Sequence, residues 1–280
     1  MNSSNILSII TFIYGLAAFL FIAFWVFKKQ ILEKSAYIIT IVGVCGHTVA
    51  IIMRWVESYK LDIGHAPFSN MYESLIFFSW VICVVYIIIE RKYGNRIIGA
   101  FATTLAFFAM AYASLSPNID SRIQPLVPAL KSNWLIAHVI TCFIGYSAFA
   151  ISAGVSFMYL LKEKDKENKS SFLGVFPKIE ILNELNYQLI MFGFLFLTIG
   201  IISGSVWANS AWGRYWGWDP KETWSLITWF IYALLLHARM MRGWDGKRIA
   251  WLSILGFLAV LFTYFGVNYL PGLHSYSSSS

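Results

Sequence analysis

Residues 5–27 read NILSIITFIYGLAAFLFIAFWVF, an apolar run without a charged side chain. The hydrocarbon core of a bilayer is ~30 Å thick, and about 20 apolar residues in a helix cross it. The run is therefore read as a first membrane span. It is too long for a signal peptide and lacks both the positive lead-in and the small-residue cleavage site, so it is expected to be retained. Working outward, further runs of this kind lie at 36–53, 72–90, 97–113, 134–161, 187–206, 224–241 and 249–269. The 97–113 run is the shortest, and its arginine flank and long following loop support it as a span. The expectation is an all-α integral membrane protein, a polytopic bundle of about eight transmembrane helices forming a single domain over residues 1–280.

Composition agrees. Hydrophobic residues make up 58% of the 280-residue chain and charged residues 12%, against roughly 25% charged in an average soluble domain. A soluble chain this apolar could not cover its own surface with polar groups. The net charge of +7 would suit nucleic acid, but the basic residues sit in short loops between apolar runs, so membrane lipid and not nucleic acid is the expected surroundings. Most of them (Lys28, Lys29, Lys34, Arg91, Lys92, Arg96, Lys162, Lys164, Lys166, Lys169, Lys178, Arg239, Arg242, Lys247 and Arg248) follow the first, third, fifth and seventh runs. The opposite side has only Arg54, Lys60, Arg122, Lys131, Arg214 and Lys221. Basic loops stay in the cytoplasm. Both termini and the loops 54–71, 114–133 and 207–223 are thus expected on the extracytoplasmic side. In the cytoplasmic loop 162–186, Lys162 to Lys169 is a solvated charge run. Val175, Ile179, Leu182 and Leu185 then recur at helical spacing, which suits an interfacial helix. Cys45, Cys83 and Cys142 fall far apart in apolar runs with no CxxC, so neither thiol exchange nor a zinc site is expected.

The chemically informative stretch is WANSAWGRYWGWDPKETW, residues 207–224. Of 12 tryptophans, Trp207, Trp212, Trp216, Trp218, Trp224 and Trp229 crowd into it and the turns just after it. Interfacial anchoring accounts for one or two tryptophans per helix end. It does not account for four in a glycine-spaced loop, which can instead form a platform for a planar ligand. Asp219-Pro220-Lys221-Glu222 also has the pattern of a capping box with proline at the first helical position. These acids are therefore expected mainly to start the seventh span, and Asn70-Met71-Tyr72-Glu73 repeats the signature before the third.

His138 lies one turn into the fifth span, and His274 follows Pro271-Gly272-Leu273 just past the eighth. The topology puts both at the depth of the tryptophan loop. A lone interfacial histidine is usually just a hydrogen-bonding group, but two at one level fit a pair of axial imidazoles on one haem iron. His237 lies 13 residues after Trp224, about 20 Å down a helix. An ionisable residue there is a functional candidate, with snorkelling towards the level of Arg239 as the competing account. The residues leave open whether His47 shares a pocket with His237, and whether His65 positions its loop or contacts a ligand.

WGWDPKETW, with VWANSAWG upstream, resembles the tryptophan-rich WWD signature of the haem-handling proteins, and specifically the CcsA/ResC-type cytochrome c biogenesis proteins of bacteria and chloroplasts. GHAPFSNMYESLIFFSW (64–80) and FGVNYLPGLHSY (265–276) are similar to two further signatures of that branch, so the resemblance covers nearly the whole chain from the second span onward. It implies a haem-handling subunit of a cytochrome c synthase. Haem b would be ligated by His138 and His274 and cradled by Trp207, Trp212, Trp216, Trp218, Asp219 and Trp224, with His237 forming an intramembrane haem site on a transport route. It also implies a CcsB/ResB-like partner with a large extracytoplasmic domain, which generally supplies the second intramembrane histidine and so weakens the case for His47. The implied reaction is thioether attachment to the CxxCH segment of apocytochrome c, on the outer face of a cytoplasmic or thylakoid membrane. The work of the chain is then positioning, with no acid–base residue assigned. The competing classes are a b-type haem electron carrier, which would pair histidines within the bilayer, a small-molecule transporter, which would show matching Gly/Pro breaks in two halves, and a purely structural membrane subunit.

Overall fold

The computed structural model describes residues 2–165 and 171–272. These residues fold into α1 (Ser3–Phe27), α2 (Gln30–Lys60), α3 (Met71–Tyr93), α4 (Gly99–Leu115), α5 (Asn133–Lys164), α6 (Ile179–Trp212), α7 (Pro220–Arg242) and α8 (Lys247–Tyr264), joined by loops and short 3-10 turns, with no strand among them. Eight helical segments are long and apolar enough to cross a membrane, the fourth and eighth including their flanking 3-10 turns Arg96–Ile98 and Gly266–Tyr269. The chain is an all-α polytopic membrane protein.

The first helix shows why. Leu7, Tyr14 and Phe21, seven residues apart, are fully buried, while Phe12, Phe19 and Val26 on the opposite face are more than half exposed. In water the exposed face would be polar. Here both faces are apolar, because the solvent for the outer one is lipid.

The helices outrun the apolar windows. The 34 residues of α6 span about 50 Å at ~1.5 Å per residue, well beyond the hydrocarbon core. Two expectations are corrected as a result. The proposed interfacial helix of loop 162–186 is the start of α6 itself: Ile179, Leu182 and Leu185 occupy its first two turns, and both leucines are buried. At the other end α6 continues to Trp212, so much of the expected 207–224 loop is helical. Polar residues continue these helices because water, not an internal partner, ends the hydrophobic requirement.

By their packing the described residues form two compact units, 2–130 with 171–177, and 131–165 with 178–272. The first contains α1–α4. At the end of it that holds the start of α1, Arg54 pairs with Glu73 at 2.8 Å, both almost wholly buried. Arg54 also donates to the Ser121 carbonyl at 2.9 Å, and Glu73 accepts from the backbone and side chain of Ser69 at 2.9 and 2.8 Å. Ser3 and Glu57 tie α1 to α2 beside them. As expected, Asn70 caps α3 by accepting from the Glu73 amide at 2.9 Å, but the Glu73 carboxylate turns to Ser69 and Arg54 instead of back to Asn70.

The second unit contains α5–α8. The α5–α6 contact is close because α6 presents Gly193, Gly200 and Gly204 along one face. A Cβ at Gly193 would stand 2.6 Å from the Phe149 ring, one at Gly200 2.6 Å from Cys142 Sγ, and one at Gly204 2.6 Å from the His138 ring. Small residues let membrane helices approach until side chains of one fill gaps in the other. Deeper in, Ser152 bridges Asn186 Oδ1 (2.6 Å) and Ser253 (2.7 Å), linking α5, α6 and α8 by a buried polar knot.

Candidate functional site

The site is built on one end of the second unit, where α5 and α7 begin and α6 and α8 finish. Ser132 caps α5, accepting from the Trp134 amide at 3.2 Å, and the first turns place His138 against α6. Its Nδ1 lies 2.7 Å from the Gly200 carbonyl. A carbonyl only accepts, so Nδ1 carries the hydrogen and Nε2 the lone pair. Nε2 makes no hydrogen bond among the described residues. The ring lies in the space left by the missing Cβ of Gly204 and is nearly parallel to Trp207, with centroids 6.0 Å apart and planes at 14°. Trp212 meets Trp207 edge-on at 5.0 Å.

The aromatic platform is divided among three elements. Trp207 and Trp212 belong to the last turns of α6. Gly213, at φ +72°, ends that helix in the left-handed conformation, where glycine carries no Cβ penalty. Only 213–219 is a true loop. It carries Trp216 and Trp218, edge-to-face at 5.8 Å. Trp218 is 69% exposed and held at φ +57°, a conformation rarely adopted by a bulky residue and one that clusters at functional sites. Trp224 sits a turn inside α7 and packs on Phe262 of α8 at 4.1 Å.

The expected capping box is present. Asp219 accepts from the Lys221 amide at 2.9 Å, and Glu222 reaches back to the Asp219 amide at 3.2 Å. Glu222 also accepts from the Gly217 amide at 2.7 Å, a contact that clamps the loop between its two tryptophans and that no capping pattern announces.

The other histidines separate by environment. His47 is fully buried within the first unit, its Nδ1 3.2 Å from the Tyr14 hydroxyl, a core position without access for a ligand. His65 contacts the Ala66 carbonyl at 2.8 Å through Nδ1 and the Gln124 carbonyl at 3.0 Å through Nε2. Both ring nitrogens are engaged, so His65 ties two loops together. His237 is exposed on α7. His274 lies outside the described residues. Of the cysteines, Cys83 and Cys142 are buried, as small apolar residues in such runs should be, whereas Cys45 is exposed.

The sequence reading missed Gly200, Gly204 and the reach of Glu222. The glycine spacing on α6 was visible, but only the packed helices show what fills the gaps.

The residues present fit a metal-bearing planar ligand: a histidine with one nitrogen tied down and the other without a hydrogen bond among the described residues, beside rings with open faces. The protein matches the family described as cytochrome C assembly protein over residues 68–274. It is 41% identical to a cytochrome c biogenesis protein CcsA of Guillardia theta, over 98% of this chain and 96% of that one. It is 42% identical to the CcsA of Prochlorococcus marinus, over 81% and 79%, and 40% identical to that of Pyropia yezoensis, over 88% of each. Among solved structures it resembles a cytochrome c haem lyase, CcmF, with a TM-score of 0.70 at 15% identity, over 94% of this chain and 47% of that chain. The chain thus spans about half the length of that structure, and the likeness concerns the fold. With a family match over most of its length and relatives near 40% identity over about four-fifths or more of theirs, the chain belongs to the cytochrome c assembly protein family.

Proposed function

We propose that this chain is the haem-handling subunit of a cytochrome c synthase, a reading that sharpens its role in cytochrome c maturation. It binds haem b at the tryptophan-rich end of the second unit and presents it to the CxxCH segment of apocytochrome c. One observation supports this above the others: His138 donates Nδ1–H to the Gly200 carbonyl at 2.7 Å and keeps Nε2 free, the arrangement of a metal-ligating histidine with its second nitrogen oriented by a carbonyl. His274 is the second axial ligand in this reading.

The chemistry of attachment resides in the substrates, since each cysteine S–H adds across a vinyl C=C, sulfur to one carbon and hydrogen to the other, with no oxidant consumed. The chain contributes position. His138 holds the iron until the histidine of CxxCH displaces one axial ligand. Trp216 and Trp218 shelter the macrocycle, and Asp219 and Glu222 fix the loop that carries them. His237, exposed on α7, belongs to an intramembrane haem site on the transport route, completed by a histidine of a CcsB/ResB-like partner. The site faces the extracytoplasmic side of a bacterial cytoplasmic membrane or of a thylakoid, with both termini on that side.

The test is an absorption spectrum of the detergent-purified protein, co-expressed with its CcsB/ResB-like partner. Wild type is expected to carry low-spin haem with two histidine ligands, weakened in His138→Ala and in His274→Ala and lost in the double variant. Haem-free wild type, or an unchanged spectrum in the double variant, would overturn the assignment.

A further inference from the structure

We propose that Gly200, Gly204 and Trp207 form a ledge on α6 whose function is to orient His138 as the iron ligand, and that Trp207 acts on the imidazole and not on the face of the macrocycle. The proposal rests on the haem reading above and assigns a positioning role within it.

Three features of one helix face converge on one ring. The Gly200 carbonyl fixes which nitrogen carries the hydrogen, at 2.7 Å from Nδ1. Gly204, one turn on, provides the seat: a Cβ there would stand 2.6 Å from Nδ1 and 2.8 Å from Cε1, closer than a carbon can approach either atom. Trp207, a further turn on, closes the ledge with its ring at 14° to the imidazole and 6.0 Å away. The imidazole is therefore held through Nδ1, seated over Gly204 and flanked by the near-parallel Trp207 ring, with no hydrogen bond at Nε2 among the described residues.

Coordination geometry then decides what Trp207 can do. The bond from Nε2 to a metal lies in the imidazole plane, and an axial bond is normal to the macrocycle. The macrocycle must stand perpendicular to the His138 ring. A tryptophan only 14° from that ring is then also close to perpendicular to the macrocycle and can meet it by an edge at most. Trp207 is moreover 3% exposed, with no open face to lend. The cradle expected of all the tryptophans thus separates into two tasks. Trp207 buttresses the ligand, and the rings with open surface, Trp218 above all, shelter the haem.

The device acts through His138, which makes it testable apart from haem binding itself. The full-length protein, purified with its partner, is titrated with haemin and examined by ferric EPR. Gly204→Ala and Trp207→Leu are each expected to weaken haemin binding roughly 10- to 100-fold, the usual cost of losing a residue that orients a metal ligand, and to convert low-spin iron to high-spin. Trp207→Phe, which keeps a flat ring, is expected to stay near wild type. In a His138→Ala background neither Gly204→Ala nor Trp207→Leu should weaken binding further, because partners that act through one residue are not additive. Should Gly204→Ala fail to fold, the two Trp207 variants carry the test alone. Trp207→Leu costing as much in the His138→Ala background as in wild type would show direct contact with the macrocycle and overturn the proposal. So would wild-type EPR signals in both Gly204→Ala and Trp207→Leu. Wild type that takes up no haemin would instead sink the underlying haem reading.

Discussion

His47, His65, His138 and His237 share one chemistry and have four different surroundings, and the surroundings assign the roles. His47 is enclosed with Tyr14, and that hydroxyl is its one side-chain hydrogen-bond partner among the described residues. Tyr14→Phe leaves a buried polar nitrogen unpaired, which costs about 1–3 kcal/mol. Denaturant unfolding in detergent should show that loss, while haemin affinity stays at the wild-type value. Trp218 gives a prediction of opposite character. Its backbone is held at φ +57° with most of the side chain exposed. Trp218→Gly relieves strain of order 1–3 kcal/mol and forfeits roughly 0.5–1.5 kcal/mol of edge-to-face contact with Trp216. Stability should therefore be unchanged or slightly raised, whereas haemin affinity falls. A residue kept for packing would show the reverse, with stability lost and affinity intact.

At the scale of elements, helix ends do much of the work. The start of α7 holds the tryptophan loop through Glu222, which accepts from the amides of both Gly217 and Asp219. Hydrogen bonds to a charged group contribute about 1.5–3 kcal/mol. Glu222→Ala should lower the thermal midpoint and loosen haemin binding together, because the cap and the loop share one side chain. Asp219→Ala removes an ordinary N-cap and should cost about 1 kcal/mol. In the first unit, α2 and α3 are joined by the buried pair of Arg54 and Glu73. Removing one partner of such a pair strands a charge and costs roughly 3–5 kcal/mol. Arg54→Ala is accordingly expected to be the most destabilising of these variants, measured by unfolding in detergent, although it lies outside the unit that carries His138 and the tryptophan loop.

For the whole molecule, side and substance come from different kinds of information. Lysines and arginines gather on alternate loops, so a cysteine placed at Ser116 should react with a membrane-impermeant maleimide from outside intact cells. One placed at Lys92 should react only after permeabilisation, and the reverse pattern would invert the topology. The spans themselves were legible because a bilayer offers no partner for a backbone amide. Each crossing segment must satisfy its own hydrogen bonds as a helix, and so announces itself by local composition. The caps at Asn70 and Asp219 were legible for the same reason, since their partners lie within a few residues. His138 and the tryptophans could be picked out as candidates, but their arrangement could not. The Gly200 carbonyl is 62 residues from His138 in sequence, and no local pattern tells which nitrogen it will hold. By itself, then, the sequence determined a polytopic helical membrane protein and singled out the residues proposed to meet haem. Only the tertiary structure decided that His138 ties down Nδ1 and leaves Nε2 without a hydrogen bond among the described residues, that the Trp207 ring stands nearly parallel to the His138 ring and that His47 is sealed in a core. Those facts depend on which faces of distant helices pack together, and packing is a property of the folded pair.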